Sequence, residues 1–176
     1  MIAARYWVYG SLVLGMSLPA HAHVGAGIDP FLHPFTGMDH LLAALAVGLW
    51  GGQQRRLAIP ATFLAAMALG MLLGNMGMPL PLVEPGIALS VLALGLFAAL
   101  ALPLTSAGMA AVALFALFHG HAHGTEMALG LGAALALLSG TALLHGAGFV
   151  LGHKLRGIMR LGGAAIAASG LLMLPL

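Results

Sequence analysis

The chain of 176 residues has no cysteine and very little charge. Without cysteine there can be no disulfide, no thiolate ligand for a metal and no cysteine nucleophile. Charged residues make up only 6% of the sequence, which is too few to cover the surface of a water-soluble globule. The six Lys and Arg residues form no basic patch, so we expect no nucleic-acid partner. A GxxxxGKS or GxxxxGKT phosphate loop is also absent, which excludes nucleotide hydrolysis by that route.

Most of the remaining residues are apolar. Hydrophobic side chains make up 61% of the chain, and the mean hydropathy is +1.08. Apolar runs recur at a length of about 20 residues, which is enough for a helix to cross a bilayer. The composition therefore predicts an all-α fold, a polytopic transmembrane helical bundle, with the lipid bilayer around it.

The N-terminal residues have the pattern of a secretory signal peptide. Arg5 supplies a positive charge, a short apolar stretch follows, and Ala-His-Ala at 20–22 fits the small-x-small pattern before a cleavage site. We therefore expect a signal peptide over residues 1–22 and a transmembrane domain over residues 23–176. An uncleaved first helix is the alternative. After cleavage, His23 would combine a free amine with an imidazole, a potential metal chelate.

Six membrane spans are expected in the transmembrane domain after removal of the signal peptide. Glycine, proline or polar residues separate the apolar runs from one another. The predicted spans are residues 36–51, 57–76, 84–102, 106–120, 126–149 and 158–175.

The basic residues orient these spans. With residue 23 on the outside, the outer loops contain no Lys or Arg, and the inner loops contain Arg55, Arg56, Lys154, Arg156 and Arg160. Basic residues collect in the cytoplasmic loops of membrane proteins. We therefore predict a bacterial inner-membrane protein whose mature N-terminus is periplasmic.

Small residues recur at the four-residue spacing that lets helices pack closely in lipid. The pairs are Gly48 with Gly52, Gly70 with Gly74, and Gly148 with Gly152. Chance matches are expected among 26 glycines, but together the pairs predict a tight helical bundle.

Side chains that bind metals fall mainly into two short clusters. The first His cluster is HPFTGMDH at residues 33–40, and the second His cluster is HGHAHGTE at residues 119–126. Ionisable groups in membrane segments are costly and usually serve ions, protons or substrates. The predicted orientation brings both clusters near the outer face. Imidazole and carboxylate ligands suit a borderline divalent cation such as Ni²⁺, Co²⁺ or Zn²⁺.

The first His cluster begins close to a predicted helix start at Pro34. Asp39 and His40 are adjacent, so on a helix their side chains diverge by about 100°. One of them could bind an ion while the other orients it, because ligating imidazoles usually donate their second N–H to an acceptor. The alternative is a buried Asp–His pair that only fixes helix packing.

The second His cluster follows helical spacing. His119 and His123 are four residues apart, and Glu126 follows His123 by three, so a continuous helix would align them on one face. An exposed polar loop with incidental histidines is the alternative. His121 would point away and is the weakest candidate of this cluster.

Other candidates stand outside the two clusters. Glu84, at the outer end of the third span, either interacts with the positive end of the helix dipole or adds an oxygen ligand for the metal. His145, deep in the fifth span, is either an inner relay site or a hydrogen-bonded core histidine. Met67 and Met71 are spaced for a thioether path for Cu(I), although such stripes more often fill cores.

Together, these motifs resemble the HupE/UreJ family of hydrogenase and urease accessory membrane proteins. The motifs are HPFTGMDH at 33–40 with AVGLW at 46–50, VEPGIA at 83–88 and HGHAHGTE at 119–126. The family is understood as nickel permeases, with some members assigned to cobalt. The resemblance implies that the residues needed for transport are His33, Asp39, His40, Glu84, His123 and Glu126.

We therefore expect a secondary transporter, not an enzyme, that takes up nickel or cobalt to supply a metalloenzyme such as hydrogenase or urease. No permanently bound cofactor is expected, only transported Ni²⁺ or Co²⁺. The sequence does not decide whether the protein forms a homo-oligomer. The alternatives are a zinc-dependent intramembrane hydrolase and a membrane subunit that binds metal and hands it on without transport. The predicted metal ligands are His33, Asp39, His40, Glu84, His119, His123 and Glu126, with His23, His121 and His145 as weaker candidates.

Overall fold

A computed structural model describes residues 29–127 and 130–174. All regular structure in these two ranges is helical, which confirms the predicted all-α class. The predicted signal peptide and His23 lie outside the described residues. The helices are α1 (His33–Thr36), α2 (Met38–Gln54), α3 (Ala58–Asn75), α4 (Val83–Leu100), α5 (Ser106–Met127), α6 (Leu131–Lys154) and α7 (Arg156–Met173).

Helices α3, α4 and α6 are long and apolar enough to cross a membrane. Their mean hydropathies over 18 residues are 1.6, 2.0 and 1.7. Many large apolar side chains on the bundle surface are exposed, among them Leu72, Leu135 and Leu161. An apolar exterior is the surface that lipid solvates, so the fold agrees with a membrane protein.

The predicted start of the first span is corrected by a break at Gly37. Pro34 does open a helix, but α1 is only four residues long, and Gly37 then takes an extended conformation (φ −79°, ψ 115°). The long helix α2 begins at Met38 and ends at Gln54, and the next residue, Arg55, caps it in a left-handed conformation (φ 56°). Asp39 and His40 therefore lie in the first turn of α2, at the end nearest α1.

The predicted boundary between the fourth and fifth spans at residues 120–126 is wrong. Helix α5 continues to Met127, so the whole second His cluster lies on one helix. Gly120 and Gly124, read from the sequence as a break, instead face the backbone of α3 at Met67 and Met71. These glycines permit close packing of α5 against α3. Helix α5 continues past them because its contacts with α3 stabilise it.

Helices α2 and α6 pack together in parallel. A Cβ atom added to Gly48 would meet the backbone of His145 and Gly148, and one added to Gly52 would meet that of Phe149 and His153. Residue numbers rise together along this contact, so the two helices run in the same direction. The structure confirms the predicted packing role of these glycines.

Helices α3 and α5 form a second parallel pair. Gly70 faces the backbone of Leu117 and His121, and Gly74 faces that of His121 and Thr125. The residue numbers again rise together. Since α5 carries the second His cluster, this contact sets the position of that cluster against α3.

Helices α4 and α7 are antiparallel. Gly95 faces the backbone of Gly163 and Ala167, whereas Gly170 faces that of Leu92. Residue numbers therefore rise on one helix as they fall on the other. The sequence analysis did not identify these glycines, because Gly163 and Gly170 are seven residues apart and follow no four-residue spacing.

Side chains from α2 and α7 bind the carbonyl groups at the C-terminal end of α4. Trp50 Nε1 donates to the Leu102 carbonyl at 2.8 Å, and Gln53 Nε2 donates to the Ala98 carbonyl at 2.9 Å. Arg160 Nε, from α7, donates to the Ala99 carbonyl at 2.8 Å. The last carbonyls of a helix have no partner within it, so these bonds satisfy groups that lipid could not.

Candidate metal centre

Four imidazole rings meet where α1, α2 and α5 come together. The centroids of His33 and His123 are 5.0 Å apart, those of His123 and His40 are 4.2 Å apart, and those of His40 and His119 are 4.6 Å apart. All four side chains are buried, with His119 1% and His123 0% exposed. The fold therefore brings the two His clusters, about eighty residues apart in sequence, into one group of rings. We call these four residues the histidine row.

Asp39 orients His40 within the histidine row. Its Oδ1 lies 2.8 Å from His40 Nδ1 and also accepts the backbone N–H of His40 at 2.8 Å. A carboxylate can only accept, so His40 Nδ1 carries the proton and donates it to Asp39. In the neutral imidazole, Nε2 of His40 then bears the lone pair, and this atom is buried with no hydrogen-bond partner among the described residues. The pair has the geometry of a carboxylate that fixes the tautomer of a ligating histidine.

Ser90, on α4, orients His119 in a similar way. Its Oγ lies 2.6 Å from the Ile87 carbonyl and 2.6 Å from His119 Nε2. The serine has one proton, and a carbonyl can only accept it, so both contacts are hydrogen bonds at once only if His119 Nε2–H donates to Ser90. The lone pair of His119 then lies on Nδ1, which has no partner in the part of the chain that the structure describes. No pattern in the sequence predicted Ser90 as a site residue, because only the folded structure brings α4 against α5.

The other two members of the histidine row, His123 and His33, also have buried ring nitrogens without a partner among the described residues. In His123 neither ring nitrogen has a hydrogen-bond partner within residues 29–127 and 130–174, and in His33 Nδ1 has none. Burial lowers the pKa of His33 below its ordinary value of 6.5, and the nearby His40 lowers it further. A lowered pKa keeps the imidazole neutral, which is the form that can bind a metal.

The donor atoms do not converge as the side chains stand. No group of three or more His, Asp or Glu side chains in the described ranges could hold a metal ion together. The rings are in contact, but binding of an ion would require at least one of them to turn. His123 is the ring that no hydrogen bond from the described residues holds in place.

The remaining described candidates are not members of the histidine row. Glu84 is exposed in the first turn of α4, and Glu126 is exposed in the last turn of α5. His121 points away, as expected from its spacing, and its Nε2 lies 2.7 Å from the carbonyl of Met78 in the connection between α3 and α4. Thus His33, Asp39, His40, His119 and His123 are brought together, and the charge of Glu126 also acts on His40.

One aromatic side chain connects the histidine row to His145. The Phe63 ring on α3 lies 5.7 Å from that of His119 and 5.2 Å from that of His145 on α6, by their centroids. His145 is 2% exposed, and neither of its ring nitrogens has a hydrogen-bond partner in the described chain. The expectation of a hydrogen-bonded core histidine is therefore not met at this position.

Comparison with known proteins gives a family. The sequence profile of the HupE / UreJ protein family matches residues 11–173. The chain is also 37% identical over 188 aligned residues to Protein HupE of Rhizobium leguminosarum bv. viciae, and the alignment covers 97% of this chain and 98% of that protein. No solved structure gives a significant match. A profile match over nearly the whole length, together with this identity, shows that the chain belongs to the HupE / UreJ family.

Proposed function

We propose that this protein is a secondary transporter that takes up a divalent transition metal, Ni²⁺ first and Co²⁺ second, across the bacterial inner membrane. The metal would supply the maturation of an enzyme such as hydrogenase or urease. Six spans, α2 to α7, would follow a cleaved signal peptide, with the mature N-terminus in the periplasm. The ion is the substrate, and no resident cofactor is required.

The observation that carries this proposal is the buried histidine row. Buried polar atoms normally have hydrogen-bond partners. Yet at least one ring nitrogen in each of His33, His40, His119 and His123 has none among the described residues. Imidazole nitrogen is a favoured ligand of Ni²⁺ and Co²⁺. Asp39 and Ser90 each accept the N–H of one imidazole, which leaves the lone pair on the other nitrogen of that ring available for an ion. Glu84 and Glu126 would act at the approach to the row, where their exposed carboxylates could attract a cation.

The helix directions support six crossings. In a chain that crosses six times, the first and fifth spans run the same way, as do the second and fourth, whereas the third and sixth are opposed. The α2–α6 and α3–α5 pairs are parallel and the α4–α7 pair is antiparallel. The basic residues that follow α2 and α6 lie at the ends expected to be cytoplasmic.

The membrane potential can drive uptake without nucleotide hydrolysis. A divalent cation moving inward through ~100 mV gains about 4.6 kcal/mol, twice the value for a single charge. This corresponds to roughly three decades of accumulation at about 1.4 kcal/mol per decade. The potential alone could therefore concentrate a trace metal.

Uptake of radioactive nickel into proteoliposomes tests the proposal. Wild-type protein, Asp39→Ala and His123→Ala would be compared under an inside-negative potential, with equilibrium binding measured in parallel. Both variants should lose binding and uptake, because one removes the group that orients His40 and the other removes a ring of the row. His153→Ala is the matched control, since His153 is exposed at the far end of α6.

The same measurement separates the two alternatives. Nickel binding by the wild type without any flux would indicate a subunit that hands metal on. Zinc-dependent turnover of lipid or peptide without flux would indicate a hydrolase.

A further inference from the structure

The contacts between rings extend beyond the histidine row. Phe63 meets His145 edge-on, with an interplanar angle of 90°, and meets His119 at 51°. Phe63 is 2% exposed and His145 is also 2% exposed, so both lie inside the bundle. A continuous series of buried rings therefore runs from α1 through the histidine row to the middle of α6.

The helices place these rings at increasing depth. The C-terminal ends of α3 and α5 lie at the same end of the bundle because the two helices are parallel, and α6 begins at this end after a short connection. At a rise of ~1.5 Å per residue, His119 lies ~12 Å from the end of α5. By the same measure, Phe63 lies ~18 Å from the end of α3 and His145 ~21 Å from the start of α6. Phe63 is thus between the two histidines in depth as well as in contact.

We propose that His145 is a second, inner station for the transported ion, and that the Phe63 ring is the barrier between it and the histidine row. This inference rests on the proposed transport function. A phenyl ring has no lone pair to replace a ligand or water, so an ion that leaves His119 cannot be held at Phe63. Rotation of the ring lets the ion reach His145, whose two ring nitrogens have no other hydrogen-bond partner in the described residues. The barrier keeps the two stations from exchanging ions freely.

The packing of His145 argues against a purely structural role. Its ring nitrogens contribute no hydrogen bond to the described fold, and an unpaired buried polar group is destabilising. If His145 only filled space, a leucine of similar volume would serve better. His145→Leu should therefore raise the thermal stability of the protein while it removes the inner station.

The test compares binding, flux and stability in the full chain. We expect His145→Leu to bind Ni²⁺ at the histidine row in detergent with the affinity of the wild type and to melt at a higher temperature. Its uptake into proteoliposomes should fall at least about tenfold, a rise in barrier of roughly 1.4 kcal/mol. His153→Leu on the same helix is the control and should change none of the three. Uptake by His145→Leu at the wild-type rate would overturn the inference, as would loss of its Ni²⁺ binding.

A second variant tests the barrier separately. Phe63→Leu keeps apolar volume but removes the flat ring, so uptake should rise while Ni²⁺ binding stays the same. If His145→Leu does not fold, unchanged or reduced uptake in Phe63→Leu still refutes the barrier. Failure of the wild type to transport Ni²⁺ would instead refute the proposed function, so the two failures are distinguishable.

Discussion

At the scale of single residues, two hydrogen bonds decide which atoms an ion can meet. Asp39 accepts the Nδ1–H of His40, and Ser90 accepts the Nε2–H of His119. The two imidazoles therefore hold opposite tautomers. Each presents its other nitrogen, and both of these atoms are buried without a partner in the described part of the chain. Affinity for a metal should thus depend on groups that never touch it.

Ser90→Ala should weaken Ni²⁺ binding by about 10- to 100-fold, the usual effect of removing a partner of a ligating histidine. Without the serine oxygen, His119 loses the acceptor that fixes its ring and tautomer. Calorimetric titration of the purified protein with Ni²⁺ would measure the change. Ser139→Ala is the matched control, because the Ser139 hydroxyl is exposed and bonds only the Leu135 carbonyl on its own helix. Equal affinities in wild type and Ser90→Ala would show that Ser90 has no orienting role.

Nickel uptake should fall in acid. Protons compete with metal ions for imidazole nitrogen, so binding weakens as the rings become protonated. The pKa of His33 lies below its ordinary value of 6.5 because of burial. Its neutral form therefore persists to lower pH, and the loss contributed by this ring should set in at a lower pH than for an ordinary imidazole. Initial uptake rates between about pH 7.5 and about pH 5 would measure this, and a constant rate across that range would contradict imidazole capture.

At the scale of helices, glycine contacts determine how close the site residues come to one another. Gly120 lies between His119 and His121 on α5, and the backbone of Met67 occupies the space that a side chain there would need. The close approach of α3 and α5 brings Phe63 against His119. The stability of this helix pair and the geometry of the site are therefore linked.

Gly120→Ala should destabilise the protein by about 1–3 kcal/mol, the usual cost of an added methyl group in a packed interior. The new Cβ would collide with the Met67 carbonyl unless the helices separate. Gly146→Ala is the control, since nothing lies within 4 Å of a Cβ placed there. Helix propensity alone should make that variant neutral or more stable by up to about 1 kcal/mol. Thermal unfolding in detergent would compare them, and equal midpoints would refute the close contact.

The sequence predicted helices better than it predicted their ends. Apolar length and the glycine pairs were enough to place the long helices and two of their contacts, through Gly48 and Gly70. The end of α5 was wrong because Gly120 and Gly124 act through a partner helix that local sequence does not reveal. Ser90 and Phe63 were missed for the same reason. Neither has a distinctive neighbour in sequence, and each gains its role only when α4 or α3 packs beside α5.

At the scale of the whole molecule, the helix pairs and the basic residues give the same orientation. The connection after α2 contains Arg55 and Arg56, and the connection between α3 and α4 contains no basic residue. The parallel and antiparallel contacts agree with a chain that alternates between the two ends of the bundle. The first connection should then be cytoplasmic and the second periplasmic. In this proposed orientation the site would lie toward the periplasmic end, from which a scarce metal would arrive.

Single cysteines can test this orientation directly, because the chain has none of its own. Leu57 and Met76 are suitable positions, since they flank α3 at opposite ends and are 68% and 65% exposed. Outer-membrane-permeabilised cells would be treated with a maleimide that cannot cross the inner membrane. Met76→Cys should react at once, because its thiol faces the periplasm. Leu57→Cys should react only after the inner membrane is also opened. Reaction of Leu57→Cys alone would place the histidine row at the cytoplasmic end, and the rings would then serve release of the ion and not its capture.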